Sequence, residues 1–233
     1  LNNKFVISRE QEKERLINLI SSTKGLVIID SNKTVDKFNI AKSISEKNHR
    51  VVEQKTYGSK ISSQDLFEDL LMANRSKERL RKLSRRLSRQ IKGDARTRED
   101  IDAGFLSVGL NEASNLKPDL DYIAENELPT FILSSWKNNI SYKLEDDDLI
   151  SSINSDIPFM MPIKVPLHLK KSKRTREFAI GYDAFEIIML KYGTNNNQNY
   201  IYKGLTGKIN PNNKKITREA YVFRISKEGI EIL

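Results

Sequence analysis

At 233 residues with 38% hydrophobic side chains, the chain is long and apolar enough to bury a genuine core, which excludes disorder throughout. It has no cysteine, which excludes disulfides, thiolate zinc sites and cysteine nucleophiles, and its only imidazoles, His49 and His168, have nothing clustered around them. The formal net charge of +9, from 40 Lys and Arg against 31 Asp and Glu, favours acidic partners: nucleic acid first, an anionic membrane surface or an acidic protein second. No stretch approaches the ~20 apolar residues that cross a bilayer, and the N-terminus lacks the order of a secretory signal, so the expectation is a soluble, cytoplasmic protein with no membrane partner.

Ser8 followed by Gln11 forms a capping-box pattern ahead of a helix whose apolar face is Leu16, Ile17, Leu19 and Ile20. Gly25 to Asp30 is a short apolar run of the kind found in a parallel strand covered on both faces. Helical spacing from Val35 to Lys47 and a second strand at Val51 to Tyr57 complete a βαβ pattern. A long helical region opens at Ser63, with Leu66, Phe67, Leu70 and Leu71 inside and Leu80, Leu83, Leu87 and Ile91 continuing at spacings of three and four. Phe105 to Leu110 reads as a third strand, Asp119 to Glu125 as a helix, Pro129 to Ser135 as a fourth strand and Asp146 to Ile153 as a further helix. The acidic run Glu145 to Asp148 fits a helix N-terminal charge cluster better than a metal site. Composition changes at Pro158 to Pro166. A basic segment follows, then a helix from Tyr182 to Lys191, strands at Tyr200 to Tyr202 and Ala220 to Ile225, and a turn at Asn210 to Asn213.

The opening Phe5-Val6-Ile7-Ser8-Arg9-Glu10, leading into a helix, resembles that of AAA+ and STAND-type P-loop ATPases, with Ser8 in place of the usual glycine. A phosphate loop is due after the first strand, where Ser31 to Phe38 offers Lys37 at the lysine position. Asp36 would bring a carboxylate toward the phosphates, and Phe38 replaces the hydroxyl that helps hold magnesium. Phe105 to Glu112 resembles a Walker B strand with Asn111 in place of the first acid and Glu112 at the catalytic position. Ser134 or Ser135 ends a strand similar to the one that carries a polar sensor. The resemblance covers residues 5 to 140 and implies a pseudo-ATPase: no catalytic residue, no bound cofactor or metal, and at most a degenerate nucleotide site at Lys37, Glu112 and Ser134. In an unrelated α/β domain, Lys37 is a solvated helix residue.

Two basic clusters stand out. Arg79, Arg81, Lys82, Arg85, Arg86 and Arg89 form one outer helix face, and Lys170, Lys171, Lys173, Arg174 and Arg176 form the other cluster. Cations placed at phosphates release counterions, so both are candidate nucleic-acid contacts; a solvated face and a charged linker are the bland alternative. Tyr221 to Leu233 resembles the close of a winged-helix domain, a wing strand leading through a Ser-x-x-Gly turn into a last helix, although a plain β-hairpin accounts for the same residues. The expected fold class is therefore α/β: a P-loop-NTPase-like, mostly parallel sheet with flanking helices over residues 1–160, and a smaller, basic, winged-helix-like α+β domain over residues 161–233. The expected function is DNA binding in an accessory or regulatory role, in replication or mobile-element biology. The alternatives are a protein-interaction scaffold, self-associating or assembling with active ATPases, and a magnesium-dependent nuclease using Asp119 and Lys137, which lacks a second carboxylate at Ser135.

Overall fold

The apolar runs seed a central sheet. In the computed structural model, which describes residues 9–21, 23–32, 39–58, 61–91, 93, 96–134, 142, 147–161, 167–169, 172, 174–193, 201–210, 217–219 and 221–233, the run after Gly25 is strand β1 (Leu26–Ser31). It pairs in parallel with β2 (Val51–Tyr57) on one side and β3 (Ala103–Ser107) on the other. Parallel pairing continues through β4 (Thr130–Leu133) to β5 (Ser152–Asp156). Alternation then sorts side chains by face, as the two-residue strand period requires. Val27, Ile29, Leu106 and Ile132 pack in one core with helices α3 (Ser63–Leu70) and α5 (Leu110–Ala124). Leu26, Ile28, Phe105 and Phe131 pack in the other with α1 (Glu10–Asn18) and α2 (Ile40–Glu46). Both faces being covered explains why β1 and β3 read as continuous apolar runs.

The chain leaves the sheet after β5 and returns to it. The 3-10 turn Pro158–Met160 leads towards helix α6 (Arg176–Gly193) and a second, antiparallel sheet of β6 (Tyr202–Gly204), β7 (Gly207–Asn210) and β8 (Thr217–Glu219). The last strands, β9 (Tyr221–Ser226) and β10 (Gly229–Ile232), then extend the main sheet in antiparallel fashion beyond β5, giving the order β10-β9-β5-β4-β3-β1-β2. Residues 161–233 thus contribute to both sheets. The β2-β1-β3-β4-β5 part is a doubly wound order whose direction of winding reverses between β1 and β3.

Several elements differ from expectation for identifiable reasons. The winged-helix close is not formed: the Ser-x-x-Gly turn after Ser226 reverses the chain into β10, paired with β9, where a last helix was expected. The long helical region breaks at Met72, whose φ of 59° is left-handed, so that α3 stops and α4 (Ala73–Arg86) starts afresh. Its first cap is Ser62, one residue earlier than expected, with Oγ accepting from the Asp65 N–H at 3.1 Å. The third strand ends at Ser107, and α5 begins at Leu110, nine residues earlier than the helix expected from Asp119, and runs through Pro118. The helix expected over Asp146 to Ile153 is a 3-10 turn at Asp147–Leu149 followed by β5.

Candidate functional site

Strands β4 and β5 end side by side, and the residues at their carboxyl ends, Ser134 and Asp156, are fully buried. Around them the fold assembles charges from four directions. Arg9, at the N-cap of α1, donates to the Ser134 carbonyl at 2.5 Å and lies 3.3 Å from Glu12 through its Nε. Glu12 accepts from Arg218 of β8 at 2.7 Å, and Arg218 also donates to the Thr206 carbonyl at 2.9 Å. Arg176, at the start of α6 and 1% exposed, grips Asp156 with both arms, Nε to Oδ1 at 3.0 Å and Nη2 to Oδ2 at 2.5 Å. The planar guanidinium matches a carboxylate in this two-pronged geometry, the strongest form of such a bond. Asp156 further accepts from the Ser134 hydroxyl at 3.4 Å and the Ile157 N–H at 2.7 Å.

Burial pushes the Glu12 carboxyl above the ordinary glutamate range, while Arg218 and Arg9 pull it back down. Burial also lifts the Tyr142 phenol, and the nearby Asp156 charge adds to the shift. The Tyr142 ring meets Phe223 edge-on at 5.0 Å, placing the phenol at the rim of the apolar core. Carboxylates so fully engaged by arginines are fasteners. The cluster ties α1, the ends of β4 and β5, α6 and the second sheet into one ionic core, and among the described residues no group of three His, Cys, Asp or Glu could hold a metal. A further strap lies at the surface. Arg15 and Lys208 both pair with Glu219 across a groove of about 440 Å³ between α1 and the second sheet, and Arg15 holds the Glu219 carboxyl below its usual range.

Between α6 and the second sheet Asp183 plays a similar part. Its carboxylate accepts from the Leu205 N–H at 2.7 Å, the Thr206 N–H at 2.7 Å and the Thr206 hydroxyl at 2.6 Å, shaping the β6–β7 turn on to α6. Burial raises this carboxyl and the hydrogen bonds from Thr206 lower it. The fit leaves no room at Gly204, where an added Cβ would stand 2.5 Å from the Asp183 carboxyl atoms. Gly204→Ala is therefore expected to cost about 1–3 kcal/mol through this overlap. Thermal unfolding would check it, and an unchanged midpoint would count against the tight approach described.

The residues singled out from the sequence scatter. Lys37, Asp36 and Phe38 lie outside the described residues, as do Ser135, Lys137, Lys170, Lys171 and Lys173. Glu112 lies in the first turn of α5, where its carboxylate accepts from the Gly109 N–H at 3.1 Å; it caps a helix, whereas a Walker B glutamate was expected there. Ser134 belongs to the ionic core instead of a sensor position. Arg176 is buried against Asp156 and cannot reach a nucleic acid, and Arg174 donates to the Met161 carbonyl at 2.9 Å. Arg79, Arg81, Lys82, Arg85, Arg86 and Arg89 do lie together on and just beyond exposed α4. The reading of the sequence missed Arg9, Glu12, Asp156, Asp183 and Arg218. Their only signal was charge inside otherwise structured segments, which surface residues carry equally.

Comparison with known proteins revises the family. The family model described as LppC putative lipoprotein matches residues 31–224, a span that includes the segment read as a phosphate loop. The penicillin-binding protein activator LpoA of Photobacterium profundum is 22% identical over 97% of this chain, which spans 39% of that relative's length. Among solved structures, the C-domain of Haemophilus influenzae LpoA, described as a regulator of PBP1A, is 16% identical with a TM-score of 0.51, covering 97% of this chain and 67% of that one. A putative branched-chain amino acid ABC transporter protein from Rhodospirillum rubrum is 12% identical with a TM-score of 0.59, covering 96% and 64%. The fold is accordingly an α/β sheet with flanking helices like that of type 1 periplasmic binding proteins. These matches overturn the P-loop ATPase resemblance, read from element order and spacing, the nucleic-acid partner with its replication or mobile-element setting, read largely from charge, and the cytoplasmic placement, read from the lack of a membrane span or signal. With the match running over most of its length, this chain belongs to the LppC putative lipoprotein family.

Proposed function

We propose that this chain is a protein-binding regulatory module that acts on a penicillin-binding protein through direct contact, outside the cytoplasm and within a lipoprotein. The observation that carries the reading is the family match over residues 31–224. The LpoA relatives, named as an activator of a penicillin-binding protein and a regulator of PBP1A, give it its direction. The ionic core fits such a role. It fixes α1, α6 and both sheets in one arrangement, and a rigid surface loses little freedom on docking.

The reading is tested by adding the purified chain to a penicillin-binding protein from the same cell and following two quantities, direct association and the rate of acylation by a fluorescent penicillin. Association with a Kd of about 1 μM or tighter and a changed acylation rate are expected, since a regulatory contact of ordinary size lies in that range. Absence of association at about 100 μM, a binding energy of only roughly −5 kcal/mol, would rule the reading out.

A further inference from the structure

Among the described helices, α4 is the least embedded. Of its length, Ala73–Arg86, only Ala73 is buried, and Leu83 at 43% and Leu87 at 63% exposed stand open at its far end. Glu78 is its single acidic residue, whereas Arg79, Arg81, Lys82, Arg85 and Arg86 have no ion-pair partner among the described residues. Leaving so many like charges adjacent on one helix is unfavourable for the isolated helix, so their retention points to something that meets them.

The chain beyond the helix shows which way that face looks. After Leu87 it runs back along α4: Ile91 N–H donates to Ser84 Oγ at 3.2 Å, Arg96 N–H to Ser76 Oγ at 2.9 Å and Arg98 N–H to the Leu71 carbonyl at 3.0 Å. Gly93 lies beside Leu80, with the position of an added Cβ 3.6 Å from Leu80 Cδ2. At 3.6 residues per turn, Ser76, Leu80, Leu83, Ser84 and Leu87 share one side, and the cations occupy the remainder. A helix built to lie on a bilayer would turn its apolar side to the lipid with cations flanking it. Here the returning chain lies over Ser76, Leu80 and Ser84 and leaves only Leu83 and Leu87 of that side open, too small an apolar strip to seat the helix in lipid. The cationic side is the one chiefly offered, which favours an acidic protein surface.

We propose that the cationic face of α4, with Leu83 and Leu87 at its edge, is the docking element of this chain for an acidic surface on its protein partner. The proposal rests on the protein-contact reading above and deepens it: cations steer the encounter, and the leucines supply the desolvated anchor.

The test measures association of the whole chain with the purified penicillin-binding protein at about 50 mM and about 300 mM salt, where screening lengths differ more than twofold. Binding should weaken at the higher salt. Arg81→Glu/Arg85→Glu/Arg86→Glu should weaken it at least about 100-fold, chiefly in the association rate, while the corresponding lysine variant stays within about threefold, because steering depends on charge. Leu83→Ser/Leu87→Ser should cost about tenfold, as expected for losing an apolar anchor. These positions are exposed, and circular dichroism would check that each variant is folded. A glutamate variant that binds as tightly as the parent overturns the α4 assignment and leaves the protein-contact reading standing. Failure of the parent chain to bind at either salt overturns both. Vesicles of phosphatidylglycerol and phosphatidylethanolamine form the third arm: if the glutamate variant loses vesicle binding but keeps the protein partner, α4 is a membrane element and the proposal falls.

Discussion

Arg176→Met is expected to lower the free energy of unfolding by about 3–5 kcal/mol, the usual consequence of removing one member of a buried ion pair. The cause is less the lost attraction than the carboxylate left behind. Asp156 is fully buried at the end of β5, and without the guanidinium it keeps, among the described residues, only the Ser134 hydroxyl and the Ile157 N–H as donors to its charge. Denaturant titration would measure the loss, and a change under about 1 kcal/mol, the worth of an exposed pair, would show that the pair is open to solvent. The double variant Arg176→Met/Asp156→Leu separates the two contributions. Replacing both partners with apolar groups should recover most of the loss, since a buried pair contributes little over a well-packed apolar substitute.

Asp183→Ala is the second large effect, expected at about 2–4 kcal/mol and confined to the second sheet. It removes the common acceptor of the Leu205 N–H, the Thr206 N–H and the Thr206 hydroxyl, and stranded buried donors each carry a desolvation penalty of about 1–3 kcal/mol. Hydrogen exchange is the discriminating measurement. Amides of residues 202–210 should exchange much faster while those of β1 and β3 stay protected, because local openings cost less than global unfolding. Equal acceleration throughout would mean that the second sheet does not open by itself.

The sequence made legible what apolar periodicity encodes. β1 and β4 were read because two covered faces demand continuous apolar or β-branched runs, and the part-buried edge strand β2 was read from Val51-Val52 and Thr56-Tyr57. β5 was not, since Ser152-Ile153-Asn154-Ser155-Asp156 carries little apolar signal; its burial comes from β4 and β9 on either side and from Arg176 below. The false phosphate loop has a physical origin too. Any doubly wound sheet repeats strand, loop and helix in the order a P-loop fold uses, so Lys37 and Glu112 fell at suitable offsets although Glu112 caps α5. Nor does sequence separate an arginine that pairs inside, such as Arg176, from those that face outward on α4, such as Arg85; only the position of Asp156 decides. The family itself was visible to comparison over residues 31–224, not in any short motif.

The antiparallel return has a consequence for how the molecule comes into being. β5 finds its second neighbour only in β9, and Glu12 meets Arg218 across 206 residues of chain. A chain that has formed only the elements up to β5 therefore holds a half-made sheet and a Glu12 paired with Arg9 but not yet with Arg218. The sheet and the ionic core close only once the segment that carries Arg218 and β9 is in place.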